Sequence, residues 1–116
     1  VKFPIHQGKP GLGQRLFKPG QPFLGAVVIR HFCAQKGDIA IAITTSGNSI
    51  NVIKAVEVAK KKDMFVIGLT GSDGGQLKIM SDMCYCAPSK NTGRIQECHI
   101  LLIHIISKLI EEKLFA

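Results

Sequence analysis

No acidic residue occurs among the first 36 positions, yet Lys2, Lys9, Arg15, Lys18, Arg30 and Lys36 all lie there. From Gly37 onward nine basic residues face eight acidic ones, so the net charge of +7 belongs to the leading segment and not to the rest. No aromatic platform accompanies those charges and no helix-turn-helix pattern follows, so nucleic acid is not an expected partner. No apolar run reaches the roughly eighteen residues that span a bilayer, because Lys, His or Glu interrupts each candidate. No apolar signal region develops behind Lys2, where Pro4, Gly8 and Pro10 intervene. A cytoplasmic protein with no membrane partner is the expectation. The four cysteines, Cys33, Cys84, Cys86 and Cys98, lack paired C-x-x-C spacing. In a chain that is 46 % hydrophobic they are expected to be small packed residues, not a disulfide framework or a zinc ribbon.

Two segments differ in character. Residues 1–35 are broken repeatedly by Pro and Gly and predict an irregular basic leader, with Phe23 to Phe32 as its only candidate strand. Residues 36–116 alternate short apolar runs with helical periods, which predicts an α/β fold with a parallel sheet. Ile39–Ile43 reads as a central strand covered on both faces. Ser49 to Lys62 carries Val52, Ile53, Val56 and Ala59 on one side and ends in three lysines, which predicts an amphipathic helix. Phe65–Leu69 is a second strand, Thr70 to Gly75 a glycine-rich loop, Gln76 to Met80 a short helix, and Met83–Ala87 a third strand stopped by Pro88. A last helix is predicted from about Gly93 to Leu114, with Asn91 or Thr92 as its N-cap. Its apolar residues run nearly all the way round, so one face is expected on the sheet and the remainder on another subunit.

The chemistry concentrates in Thr44-Thr45-Ser46-Gly47-Asn48-Ser49, between the first strand and the helix behind it. Hydroxyls, a glycine that admits close backbone approach and free N–H groups at a helix start suit a phosphate monoester that is held and not transferred. Helix capping is the plainer use of the same residues. On the last helix, Gln96 and His104 are eight residues apart, a spacing that lets both face one cleft. A lone histidine on an apolar helix is otherwise a packed core residue. Cys84 and Cys86 point to one side of their strand, and packing is the simpler reading.

The run Gly37-Asp38-Ile39 to Thr45-Ser46-Gly47-Asn48-Ser49, then Val52-Ile53-Lys54-Ala55, Ile67-Gly68-Leu69-Thr70-Gly71, Asp73-Gly74-Gly75, Arg94-Ile95-Gln96-Glu97, His99 and Ile103-His104, resembles the phosphoheptose isomerase family in order and spacing. The resemblance implies a sugar-isomerase (SIS) fold, a flavodoxin-like parallel sheet between helical layers, here its C-terminal portion only. It implies conversion of sedoheptulose 7-phosphate to D-glycero-D-manno-heptose 7-phosphate for lipopolysaccharide precursors, by a homotetramer. It further implies phosphate binding by Thr44, Thr45, Ser46, Asn48 and Ser49, acid/base catalysis by His104, and Gln96 and His104 as substrate or zinc ligands. Imidazole suits proton transfer near neutral pH. His99 reads as structural, and Glu97 as either a carboxylate partner or a solvated residue.

The family also has an N-terminal part carrying a glutamate base and a further histidine ligand, and residues 1–35 do not resemble it. Little isomerase turnover is therefore expected from this chain alone. Thr44 stands where family members often have Ser, which retains the hydroxyl. The alternative is a non-catalytic SIS protein that associates with the bacterial replication initiator. Ser46 and His104 favour the isomerase over it.

Overall fold

A computed structural model describes residues 34–116. Expectations for the leader, including a strand within Phe23 to Phe32, and for Cys33 lie outside the described residues. The described elements alternate strictly: β1 (Ile39–Ile43), α1 (Ile50–Lys61), β2 (Phe65–Thr70), α2 (Gly75–Met80), β3 (Met83–Cys86) and α3 (Thr92–Phe115). The three strands are parallel in the order β1-β2-β3, so two consecutive βα crossovers build the sheet.

Pleating sorts the strands into two faces. Through the register, Ala40 pairs with Val66, Ala42 with Gly68, Gly68 with Cys84 and Thr70 with Cys86. That face is made of small residues and receives α1 and α2. Ile53, Val56 and Ala59 from α1, Leu77 from α2, and Met64 and Val66 form the core. Gly68 is what lets α2 settle: a Cβ there would stand 3.1 Å from Leu77 Cγ and 2.5 Å from Ser81 Oγ. The opposite face carries Ile39, Ile41, Ile43, Phe65, Leu69 and Met83. Leu69 is buried, but Ile39 is 58 % and Met83 61 % exposed.

Here β1 departs from expectation. It forms one edge of the described sheet, and among the described residues only its alanine face packs on the core, while Ile39 and Ile43 opposite are exposed. The helix α3 shows the same asymmetry: Ile95 and His99 are its buried residues, while Ile100, Leu101, Ile105 and Leu109 are exposed. Among the described residues the sheet covers a single stripe of that helix.

Two polar devices lock the alternation. The end of α1 is a Schellman turn in which Asp63 N–H reaches Lys60 O at 3.0 Å and Met64 N–H reaches Ala59 O at 3.1 Å. Asp63 occupies the left-handed position, φ 54°, where glycine is usual. At the start of β3, Asp82 accepts from Lys60 Nζ with one carboxylate oxygen and from Val66 N–H, 2.7 Å away, with the other. It thereby ties α1, β2 and β3 together. The Lys60 hydrogen bond, then that from Val66, holds its carboxyl below the usual aspartate value. On the inner face the Cys84 and Cys86 sulfurs stand 4.0 Å apart, as their alternation predicts. Burial first, then the Cys86 thiol, pushes the Cys84 thiol above its ordinary value.

Asp82 sets a pH dependence of stability. A depressed folded pKa contributes stability that is complete above the unfolded value of about 3.9 and disappears as pH falls through the folded value. In urea melts, Asp82→Asn should lower the midpoint at pH 7, and its difference from the parent chain should shrink toward pH 3. Leu77→Ala, which empties a fully buried site, should cost about 2–5 kcal/mol at either pH.

Candidate functional site

The strand β1 hands its ladder to the loop through Thr44, whose N–H reaches Leu69 O at 3.0 Å. The chain then turns through Thr45 to Asn48 and enters α1 at its N-cap Ser49. The Ser49 hydroxyl makes no capping bond, so capping does not account for the loop's hydroxyls. The loop is internally braced: Ser46 Oγ lies 3.4 Å from Thr44 Oγ1 and accepts from Asn48 N–H at 3.1 Å. Asn48 also works outward. Its side-chain NH2 donates to Ser46 O at 3.2 Å, and its side-chain oxygen accepts from Gln76 N–H at 3.0 Å at the start of α2.

Glycine is required at the crown of this turn. Gly47 has φ 70°, and any Cβ on it would run into the Gly74 carbonyl and come 2.9 Å from Gly75 N. Leu77 N–H donates to Gly47 O at 2.9 Å, sealing the two loops together. A second close approach joins Gly71 to the loop, where Gly71 N–H reaches Thr45 O at 3.0 Å. A Cβ at Gly71 would meet Thr45 O at 2.6 Å and Ile95 Cδ1 at 2.7 Å.

These contacts leave an open cleft of about 390 Å³ at the C-terminal ends of the strands, where open α/β sheets bind ligands. Thr45, Ser46 and Asn48 line it, joined by Ser72 and Asp73 from the β2–α2 loop and by Ser89, Lys90 and Thr92 from the β3–α3 loop. Thr44 and Ser49 flank it without lining it. Sequence reasoning treated the site as neutral donors without a lysine; the fold brings Lys90 to the rim. Ser72 and Asp73 after β2, Ser89 and Lys90 after β3, and Thr92 at the start of α3 were missed because only strand order unites them with the loop after β1. The start of α3 also faces the cleft, with Asn91 as N-cap accepting from Arg94 N–H at 3.2 Å. The N-terminus of α3, three serines and a lysine favour an anion, and the Asp73 carboxylate opposes one.

Beneath the cleft, His99 is 3 % exposed with Nε2 2.9 Å from Thr70 O, a structural role as expected. Glu97 pairs with Arg94 at 2.7 Å on the solvent side. Gln96 and His104 are both exposed on α3 and neither lines the cleft. His104 is nine residues beyond Ile95, which at about 100° per residue is half a turn away from the cleft side, and about 18 Å along the axis from Thr92. Within one chain the imidazole and the Thr44–Ser49 loop are therefore not brought together.

A family profile described as "SIS domain" matches residues 17–71. That match begins within the leading segment, whose structure lies outside the described residues. Solved structures agree with it: a phosphoheptose isomerase from Neisseria gonorrhoeae superposes with a TM-score of 0.70 at 45 % identity, over 73 % of this chain and 48 % of that one. One from Francisella tularensis gives 0.71 at 39 % identity, over 75 % and 47 %. The fold is that of a SIS domain. Phosphoheptose isomerases of Helicobacter hepaticus and Aneurinibacillus thermoaerophilus are 52 % and 51 % identical over 80 residues, which is 69 % of this chain and 41 % and 40 % of theirs. The chain thus spans about two fifths of the curated relatives it matches and carries a portion of their SIS domain.

Gly47→Ala tests the loop architecture of this SIS fold. Left-handed strain alone costs about 1–3 kcal/mol, and the clash with Gly74 adds to it, so urea melts should show at least that loss. Gly37→Ala, also at positive φ but in open space, should show only the strain.

Proposed function

We propose that this chain holds the phosphate of sedoheptulose 7-phosphate as part of a phosphoheptose isomerase. The observation that carries the reading is the cleft in which Thr45, Ser46 and Asn48 meet Ser89, Lys90 and Thr92 at the N-terminus of α3. About half-identity to phosphoheptose isomerases supports the substrate. The reaction moves a carbonyl between neighbouring carbons, giving D-glycero-D-manno-heptose 7-phosphate, the cytoplasmic entry to lipopolysaccharide heptose. It needs a base for the proton beside the carbonyl, an acid for the oxygens and donors for the enediolate. On this reading Ser46 and Thr45 bind phosphate, Asn48 holds the loop in shape, and His104 moves protons in a cleft supplied by another copy. The exposed stripe Leu101, Ile105 and Leu109 on α3 supports such an assembly, a tetramer by resemblance.

Zinc fits the described residues poorly. A protein zinc site takes three or four ligands, and Gln96 and His104 offer two. Among the described residues no group of three His, Cys, Asp or Glu gathers. No step is assigned to the metal. The replication-initiator reading has no comparable support, since Ser46 and His104 are both retained and the relatives named above are isomerases.

Calorimetric titration of the full chain with sedoheptulose 7-phosphate and with unphosphorylated sedoheptulose tests the proposal. The phosphorylated sugar should bind at least about tenfold more tightly, and Ser46→Ala with Thr45→Ala should erase most of that difference. Equal affinity for the two sugars would sink the phosphate reading. In the same samples turnover should be slight, and a rapid rate from isolated monomers would refute the role of a second copy.

A further inference from the structure

We infer that His99 is a positioning residue of the cleft: its hydrogen bond to the Thr70–Gly71 peptide aligns the groups on either side of it. The inference rests on the phosphate reading of that cleft. One peptide group gathers the connections that build the site. Its carbonyl, Thr70 O, accepts from Ala87 N–H at 2.9 Å and lies 2.9 Å from His99 Nε2. Its amide, Gly71 N–H, donates to Thr45 O at 3.0 Å. A carbonyl only accepts, so Nε2 carries the hydrogen of the histidine bond. Ala87 stands before, and His99 after, the segment that brings Ser89, Lys90 and Thr92 to the cleft. Both ends of that segment are thus pinned to one oxygen. Bonds on the two sides of a single peptide polarise each other, so the imidazole bears on Thr45 as well as on Lys90.

Stability does not account for a histidine at this place. His99 is buried, so its ring nitrogens leave water on folding, and among the described residues Nδ1 gains no partner in return. Thr70 O keeps the Ala87 bond without it. A leucine would fill the site with apolar bulk, leave no buried acceptor bare and escape that loss. What a leucine would lack is direction. Ile95, the other buried residue of α3, sits over Gly71, and an apolar contact of that kind lets a helix turn or slide. A hydrogen bond does not, because its geometry tolerates little change. Thr92 and Ile95 at the head of α3 line the cleft, so fixing the helix fixes that wall.

Two substitutions in the full chain test this. His99→Leu keeps the bulk and deletes the N–H, and His99→Gln returns an N–H at a similar reach. In urea melts His99→Leu should unfold at a midpoint close to that of the parent. By amide hydrogen exchange without ligand, its Gly71 N–H should exchange at least about tenfold faster while Val66 N–H keeps its rate. In calorimetric titration it should bind sedoheptulose 7-phosphate at least about tenfold more weakly, and His99→Gln should recover most of both losses. A leucine variant that fails to fold, unchanged exchange at Gly71, parental affinity without the N–H, or a glutamine variant no better than leucine would each overturn the inference. A parent chain that binds both sugars equally fails the phosphate reading instead, and exchange at Gly71 then still decides whether His99 positions the Thr45 loop.

Discussion

The approach of Gly47 to Gly74 and Gly75 is the contact on which the site depends. Backbone meets backbone there with no room for a methyl group on Gly47, and the Leu77 N–H to Gly47 O bond fixes the spacing. Because Leu77 is also fully buried against the sheet, the same residue that anchors α2 in the core anchors the phosphate loop. Asn48 repeats the link through Gln76. The loop is therefore braced both by the hydrophobic core and by the Ser46 hydroxyl, which accepts from Asn48 N–H and lies beside Thr44 Oγ1. Such preorganisation lowers the ordering cost of binding.

Most of the described fold was legible because period and punctuation agree. Short apolar runs at Ile39–Ile43 and Phe65–Leu69, a one-sided period over Ser49 to Lys62, and Asn91 ahead of a long apolar stretch each mark an element within a residue or two of its place. Thr45, Ser46 and Asn48 were legible for the same reason, since a strand, a hydroxyl loop and a helix stand consecutively. Lys90 and Asp73 were not. Their place in the cleft follows from three parallel strands ending at one level, a property of strand order that no local pattern records. Glu97 was undecided from sequence because its carboxylate could serve chemistry or solvent, and only its pairing with Arg94 separates the two.

The departure at β1 and the expected one-sided burial of α3 have a common cause. Both elements are apolar on two sides, and the described residues can cover only one. On β1 the alanines pack under α1 while the isoleucines face outward; on α3 the Ile95–His99 stripe packs while Leu101, Ile105 and Leu109 do not. Hydrophobicity on a second face marks a surface that the described residues leave uncovered. On the all-round apolar α3 the sequence already signals it, whereas a short strand such as β1 reads the same with one face covered as with two.

That asymmetry bears on function. Every group lining the cleft comes from the loops after β1, β2 and β3 or from the start of α3, and those loops are held by contacts within the described residues. The shape of the cleft is thus a local property of this portion of the fold. The position of His104 is not tied to it, because His104 stands half a turn from the cleft side of its own helix and lines no part of the cleft. On the function proposed above, this portion would supply the hold on the phosphate, while using that binding energy to position a carbonyl against an acid and a base would require surfaces from beyond one copy.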